Sequence, residues 1–415
     1  MTNEETDSQD GERAVAMVGA VSGLALFGDA MLYVVLPVYW KEAGLESLWQ
    51  VGLILSINRF VRLPLNPLIG WLYNRLPLRA GLYAAVLLAA LTTAGYGIWE
   101  GFAAWLVLRA LWGIAWSLMR IGGYLTVIRC SDRTNRGRLM GRYNGVWRLG
   151  SLVGVLFGGI LVPMAGLQPI AILFGLFALT GLPLIALYIG RSGTEDAIRL
   201  TKNGGAAVKH ARIWTRPVKK IVVCGLLVAT LHAIFGSTLS YMIASTYSQG
   251  ELFLGIVISS TVLAGTLEAI RCLWEPFLGV WFGRLSDGPA GRIPLLMLSA
   301  AAAALGFALV PIEMPPLAWL LIVLYVKATG TMMTTIVDAM AADVAKSSAV
   351  AIMTAYSVAT DLGAAVGPAL IYWALGRDFG LLPALLICSA VFVLIGWSYR
   401  KEYRMERRGE EWAGQ

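Results

Sequence analysis

Charged side chains inside long apolar runs are the residues of this sequence best placed to do chemistry. An ionised group at the centre of a bilayer costs on the order of 3 kcal/mol, so such residues line an aqueous cavity or pair across it. Arginine presents a planar fork that suits carboxylate or phosphate oxygens, and a poorly hydrated carboxylate can take up a proton. Seven of these residues are basic and five are acidic: Arg59, Arg62, Arg109, Arg120, Arg148, Arg271 and Lys327, against Asp29, Glu268, Glu275, Asp338 and Asp361.

The elements that position these charges are apolar helices of membrane-spanning length. Hydrophobic residues make up 58% of the 415 residues and charged residues 14%, whereas soluble domains carry roughly 25% charge. We predict an all-α integral membrane protein with twelve transmembrane helices. The predicted spans are approximately 14–40, 48–73, 80–99, 102–128, 139–165, 169–190, 218–246, 252–283, 293–311, 316–342, 349–375 and 380–399.

Basic residues set the expected orientation. With both termini in the cytoplasm, about 24 of the 33 Lys and Arg residues fall in cytoplasmic segments and seven fall within the spans. Only Lys41 and Arg377 fall in segments on the opposite side of the membrane, as the positive-inside rule requires. This topology accounts for the net charge of +8, so we predict no nucleic-acid partner. We expect a multi-pass protein of a bacterial cytoplasmic (inner) membrane.

The sequence is duplicated. Residues 58–76 and 267–285 match at an offset of 209, so that Arg62 corresponds to Arg271. Because both copies begin on the same side of the membrane, we predict two parallel six-helix repeats about an axis along the membrane normal. The predicted organisation is a disordered cytoplasmic N-terminal tail at 1–13, an N-terminal bundle at 14–190, a cytoplasmic linker at 191–217, a C-terminal bundle at 218–399 and a cytoplasmic tail at 400–415.

The repeat also predicts ion pairs between the two halves. In three places a base in one half corresponds to an acid in the other: Arg59 with Glu268, Arg120 with Asp338 and Arg148 with Asp361. One interpretation is a structural salt bridge that holds the halves together in one state of a cycle. The other is that a ligand or a proton competes for these partners and so frees the halves to rock.

The carboxylates are the candidate proton-binding groups. They are Asp29, Glu268, Glu275, Asp338 and Asp361. Asp29 comes first because its repeat counterpart is Ser237, so symmetry does not require an acid there. The alternative is that Asp29 permanently neutralises a neighbouring arginine.

Basic and aromatic residues on shared helix faces are the candidate ligand site. The excess of bases over acids favours an anionic or zwitterionic substrate, and aromatic rings can sandwich its organic part or support the arginines by cation–π contact. The predicted substrate-binding residues are Arg62, Arg120, Arg148, Arg271, Tyr33, Trp116, Tyr124 and Tyr241.

Several motifs can be compared with known families. Asp29 is followed eight positions later by Pro37, and the fourth predicted span contains Arg109 and Gly113 in the pattern R-x-x-x-G. The fifth span has a glycine series, with Val155 where a related pattern has proline: Gly150, Gly154, Gly158 and Gly159. With these motifs and its six-plus-six organisation, the chain resembles the major facilitator superfamily from about residue 14 to residue 400. The resemblance implies a proton-coupling role for Arg109 and an antiporter-like character.

The family's cytoplasmic gate motif, G-x-L-x-D-R-x-G-R, is altered here. Asn74 stands where the family has an acid, and Pro77 replaces the second glycine. The second half keeps the residue types of the motif at altered spacing. The resemblance implies a gate formed by Gly70, Asn74 and Arg75 in the first half and by Gly279, Arg284 and Asp287 in the second.

The buried charges and the resemblance together predict a secondary transporter, not an enzyme. The sequence contains no G-x-x-x-x-G-K-[ST] loop for ATP, and two histidines with four scattered cysteines suggest neither a metal site nor a disulfide framework. We predict proton-coupled export, by alternating access, of a small anionic or zwitterionic molecule such as a siderophore-like metal chelator or another carboxylate-bearing metabolite. We expect a monomer that needs no cofactor and has protons, a small organic substrate and the lipid bilayer as partners. The alternatives are broad multidrug efflux, proton-coupled uptake of an organic anion and, in another class, a membrane sensor or assembly partner that binds ligand without moving it.

Overall fold

The computed structural model describes residues 3–73, 75–130, 136–189, 214–246, 252–253, 256–257, 259–286, 291–344, 349–377 and 379–406. The first half contains the helices α1 (Asn3–Tyr39), α2 (Leu48–Tyr73), α3 (Leu78–Gly95), α4 (Phe102–Arg129), α5 (Arg136–Ala165), α6 (Leu167–Leu179) and α7 (Gly181–Tyr188). The second half contains α8 (Arg216–Thr246), α9 (Ser260–Ser286), α10 (Arg292–Leu309), α11 (Pro316–Val344), α12 (Ala349–Leu375), α13 (Leu381–Ser398) and α14 (Arg400–Glu406). Two short strands, β1 (Leu252–Phe253) and β2 (Ile256–Val257), pair antiparallel between α8 and α9.

Ten helical segments in the described ranges are long and apolar enough to cross a membrane, with α6 and α7 together forming one of them. Helices α2 and α9 are not among the ten, although they have 26 and 27 residues. At 1.5 Å per residue each is longer than the roughly 30 Å of a bilayer core. These two helices carry the repeated stretch with its charged residues, which lowers their hydropathy. The count of twelve spans and the side on which the termini lie therefore stay predictions.

Two predicted boundaries differ from the structure. Helix α1 begins at Asn3, within the segment that was predicted to be an N-terminal tail. Tertiary contacts support this first part of the helix: Arg142 of α5 donates to the Glu12 carboxylate at 2.9 Å, and Gly11 packs against Cys130. The run predicted to begin at residue 252 becomes helical only at Ser260, because the residues before it include the two strands, whose β-branched members favour extended backbone.

The chain divides into two compact units. The first comprises Met1–Ala207 with Ser259–Glu268, and the second comprises Val208–Ile258 with Ala269–Gln415. Within the first unit, α1 packs against α4 and α5, and α3 packs against α4 and α6. Within the second unit, α8 packs against α11 and α12, and α10 packs against α11 and α13. These are the corresponding helices of the repeat, so the duplication is visible in the internal packing of each unit. Most of the predicted linker, residues 191–213, lies outside the described residues.

Glycines allow the closest helix pairs of each unit. A Cβ atom added to Gly150 of α5 would lie 2.2 Å from the Cα of Gly23 in α1. A Cβ atom added to Gly363 of α12 would lie 2.2 Å from the carbonyl oxygen of Leu226 in α8. Only glycine permits such an approach of two backbones, so the glycine series of α5 serves helix packing.

Candidate functional site

A buried ion pair joins three helices of the first unit. Asp29 of α1 is 8% exposed, Arg109 of α4 is 0% exposed, and the two side chains form a salt bridge. The Asn58 amide of α2 donates to Asp29 Oδ1 at 3.4 Å, and Arg109 Nε donates to the carbonyl oxygen of Ile54 at 3.2 Å. Two of the residues predicted to couple protons are therefore in direct contact, and α2 contributes an amide donor and a backbone acceptor to the pair.

Gly113 explains why α2 can come this close to α4. A Cβ atom added there would lie 2.5 Å from the carbonyl oxygen of Asn58. Any larger side chain at the glycine of the R-x-x-x-G motif would push Asn58 of α2 away from α4. The glycine therefore lets Asn58 come close enough to donate a hydrogen bond to Asp29 of the ion pair.

Tyr33, a predicted substrate-binding residue, lies beside the ion pair. Its ring centroid is 5.7 Å from the guanidinium carbon of Arg109 and 6.0 Å from that of Arg59. Its hydroxyl donates to the carbonyl oxygen of Leu55 at 3.2 Å. One turn of α1 after Asp29, this tyrosine therefore contributes cation–π contact to two of the predicted arginines.

A second group of residues forms what we call the α4–α5 face. It consists of Trp112, Trp116, Arg120, Tyr124, Trp147 and Arg148. The indoles of Trp112 and Trp116 are stacked, with centroids 5.9 Å apart and an interplanar angle of 9°. Trp147 of α5 meets Trp116 edge to face at 5.4 Å and 73°.

Arginines stand at both sides of these indoles. Arg120 Nε donates to the Tyr124 hydroxyl at 3.0 Å, one turn along α4 from Trp116. The guanidinium carbon of Arg148 lies 5.6 Å from the ring centroid of Trp147. Trp112 in turn lies 5.6 Å from the Arg109 guanidinium carbon, so the α4–α5 face continues into the buried ion pair.

Arg148 indicates which environment this face meets. Its side chain is exposed although it lies inside the apolar segment Leu139–Ala165. A cation at that position cannot be exposed to hydrocarbon without a large penalty. The exposed part of the α4–α5 face is therefore unsuited to contact with lipid, and four predicted substrate residues lie on this face: Arg120, Arg148, Trp116 and Tyr124.

The second unit uses different pairings. Arg271 Nη1 donates to the Glu275 carboxylate at 2.8 Å, one turn along α9. Lys327, the repeat counterpart of Arg109, is 5% exposed and its Nζ lies 5.8 Å from the ring centroid of Phe235. The ring nitrogens of His232 have no hydrogen-bond partner among the described residues.

Tyr356 is a residue that we did not single out from the sequence. Its hydroxyl donates to Asp338 Oδ1 at 2.6 Å, which fixes the predicted proton-coupling carboxylate. A signal for it was available, because Tyr143 precedes Tyr356 by 213 positions, the same offset that relates Arg148 to Asp361. In the first unit Tyr143 is fully buried against Tyr124 at a centroid distance of 5.9 Å.

The remaining predicted residues are placed but not assigned a role by the structure. Arg62 is 8% exposed, Glu268 and Asp361 are partly buried, and Tyr241 contacts the Tyr372 ring at 6.3 Å. The three ion pairs predicted from the repeat stay predictions.

The predicted gate is only partly described. Asn74 and Asp287 lie outside the described residues. Arg75 stacks over Trp71 at 4.1 Å, and Arg284 is exposed. Gly70 lies in open surroundings, whereas a Cβ atom added to Gly279 would lie 3.7 Å from the Thr335 hydroxyl. The gate therefore also stays a prediction.

Comparison with known sequences identifies the family. The sequence pattern of the Major Facilitator Superfamily matches residues 18–368. YcaD, an uncharacterized MFS-type transporter of Escherichia coli O6:K15:H31 (strain 536 / UPEC), is 25% identical over 292 residues, which cover 69% of this chain and 70% of that protein. YcaD of Shigella sonnei (strain Ss046) is 24% identical over 289 residues, with the same coverage of 69% and 70%.

Solved structures show the same fold. A POT family transporter in complex with a thioalcohol conjugated peptide superimposes with a TM-score of 0.75 at 10% identity, covering 96% of both chains. A bacterial homolog of the human lysosomal transporter Spinster, inward-facing and unoccupied, superimposes with a TM-score of 0.69 at 13% identity, covering 94% of this chain and 96% of that one. The matched region contains the repeat, the ion pair and the α4–α5 face, and the chain therefore belongs to the major facilitator superfamily, a family of membrane transporters and not of enzymes.

Proposed function

We propose that this secondary transporter exports a small anionic or zwitterionic organic molecule in exchange for protons, by alternating access. The observation that carries the proposal is the buried Asp29–Arg109 pair. A titratable acid and its counterion lie together at the junction of α1, α2 and α4, and the cation–π contacts of Trp112 extend from this junction to the α4–α5 face.

Protonation of Asp29 would act on the conformation through Arg109. The neutral acid no longer compensates a guanidinium that is 0% exposed, and an uncompensated buried charge is strongly unfavourable. The unit relieves this by moving Arg109 toward water or toward another anion. Proton binding thereby favours a different arrangement of α1, α2 and α4, which is the requirement for coupling.

The charge of the α4–α5 face supports an anionic or zwitterionic cargo. Arg120 and Arg148 stand beside it, and their guanidinium forks match carboxylate geometry. Two of the fold relatives are in line with this class: one POT family transporter was solved with 5-aminolevulinic acid, which carries an amine and a carboxylate, and another with sulfate. The remaining predicted carboxylates are Glu268, Glu275, Asp338 and Asp361, which we propose as secondary proton sites or as partners in the pairs between the halves.

Flux measurements test the proposal. Inside-out vesicles with an acid interior are supplied with 5-aminolevulinate or benzoate, and accumulation of the anion and alkalinisation of the interior are followed together. An exporter that exchanges its cargo for protons accumulates the anion and dissipates the gradient. Asp29→Asn should abolish both signals, whereas Glu42→Gln, which changes an exposed carboxylate after α1, should leave them intact.

Other outcomes separate the alternatives. Accumulation driven by an alkaline interior indicates proton-coupled uptake, and accumulation of tetraphenylphosphonium indicates multidrug efflux. Binding of an anion with no flux in either gradient indicates a sensor. Anion flux that ignores the pH gradient, or wild-type coupling in Asp29→Asn, contradicts the proposed mechanism.

A further inference from the structure

One nitrogen of the Arg109 guanidinium has no acceptor in the buried ion pair. Nη1 binds the Asp29 carboxylate, and Nε donates to the carbonyl oxygen of Ile54 at 3.2 Å. Nη2 is buried and has no hydrogen-bond partner within the described ranges. A guanidinium donor that is hidden from water usually has an acceptor, so this nitrogen points to a function of its surroundings.

Tyr96 supplies a second buried polar group without a partner. It is the residue that follows α3, it is 1% exposed, and its hydroxyl has no hydrogen-bond partner in the described part of the chain. Its ring packs on Trp105 with centroids 4.8 Å apart. Trp105 precedes Arg109 by one turn of α4, so these two residues share a helix face. The Tyr96 hydroxyl therefore lies close enough to the guanidinium to interact with it, although no hydrogen bond joins them.

The other titratable and charged neighbours of the ion pair are Tyr33 of α1 and Arg59 of α2. Tyr33 presents its ring to Arg109, and its hydroxyl is already bonded to the backbone of α2. Arg59 is itself a cation and cannot accept a hydrogen bond. Of these groups, Tyr96 is the one whose oxygen is placed to accept from Arg109 instead of the carboxylate.

We infer that Tyr96 is a positioning residue for proton coupling, whose hydroxyl accepts a hydrogen bond from Arg109 when Asp29 is protonated. This inference rests on the proposed function, which assigns proton binding to Asp29. A neutral acid no longer holds the guanidinium, and the hydroxyl then offers a charge-assisted hydrogen bond that is not made while the ion pair is intact. Because this bond forms in one protonation state only, it stabilises that state and strengthens proton binding.

Infrared titration of the Asp29 carboxyl group tests the inference. The full chain in lipid nanodiscs is titrated, and we follow the carbonyl band of a protonated carboxylic acid that is present in the wild type and absent from Asp29→Asn. In Tyr96→Phe the midpoint of this band should fall by about one pH unit, which is about tenfold weaker proton binding. At a pH where Asp29 is charged, Tyr96→Phe should unfold at the wild-type temperature or above, because the hydroxyl that it lacks is unbonded in that state.

Two controls show whether the effect passes through Arg109. Tyr83→Phe removes another hydroxyl of α3, one that accepts from Arg79 Nη2 at 3.3 Å, and should leave the midpoint unchanged. In an Arg109→Gln background, Tyr96→Phe should no longer shift the midpoint, since the donor that the hydroxyl would serve is gone.

Three results would overturn the inference. They are a midpoint that is unchanged or higher in Tyr96→Phe, the same downward shift in the Arg109→Gln background, and a lower unfolding temperature of Tyr96→Phe at a pH where Asp29 is charged. A wild type without any titrating band that depends on Asp29 would remove the proposed proton coupling as well. A band that titrates identically in the wild type and in Tyr96→Phe would remove only the role of Tyr96 and leave the proposed function standing.

Discussion

Neutralising Asp29 while leaving Arg109 in place should destabilise the first unit strongly. Asn has nearly the same volume as Asp and its side-chain oxygen still accepts from Asn58, so Asp29→Asn creates no cavity. What it removes is the counterion of a guanidinium with 0% exposure. Breaking one partner of a buried pair costs about 3–5 kcal/mol. For a unit of this size each kcal/mol lowers Tm by about 2–4 °C, so we expect a fall of roughly 6–20 °C.

A double-mutant cycle separates the charge from the shape. Purified wild type, Asp29→Asn, Arg109→Gln and the double variant are heated in detergent while tryptophan fluorescence is recorded. Because the double variant contains no orphaned buried charge, it should be more stable than Asp29→Asn alone. An unchanged Tm in Asp29→Asn, or destabilisation by the two substitutions that simply adds in the double variant, would refute the buried pair as a coupled unit.

Three further outcomes are expected. Arg62→Gln should abolish transport into inside-out vesicles while immunoblots show wild-type amounts in the membrane, and wild-type flux would remove Arg62 from the site. Tyr356→Phe should lower the free energy of unfolding by roughly 1–2 kcal/mol, because it removes a 2.6 Å hydrogen bond to the Asp338 carboxylate; the same substitution in an Asp338→Asn background should have a clearly smaller effect. Gly150→Ala should destabilise the protein by about 3 kcal/mol or more, since the new Cβ atom has no room. Gly145→Ala, at an open position of the same helix, should stabilise it by up to about 1 kcal/mol. A similar Tm for both alanine variants would contradict the packing argument.

The repeat and the helices that carry the charged residues could be predicted because they depend on local pattern. A hydrophobic run of membrane-spanning length predicts a helix, and a sequence match at a constant offset predicts which helix of the other unit is its repeat counterpart. The same reasoning failed at α9, whose predicted start included the short β pair at residues 252–257. Pattern alone also did not predict that α1 begins at Asn3, near residues that contact Cys130 and Arg142.

Pairings across distant segments were harder to predict. Asp29 and Arg109 are 80 positions apart, and the repeat offered no symmetric counterpart that would point from one to the other. The sequence named both residues, but only as separate members of a proton-coupling set, with a neutralised arginine as an alternative. Tyr356 was missed because a tyrosine in an apolar run is unremarkable until its partner Asp338 is placed one hydrogen bond away.

The contact of Gly23 with Gly150 restricts how this protein can change shape. At that crossing backbone touches backbone, so no side-chain rotamer can adjust to let α1 slide along α5. The crossing therefore opposes sliding of α1 along α5, and we expect the two helices to move together when the protein changes conformation.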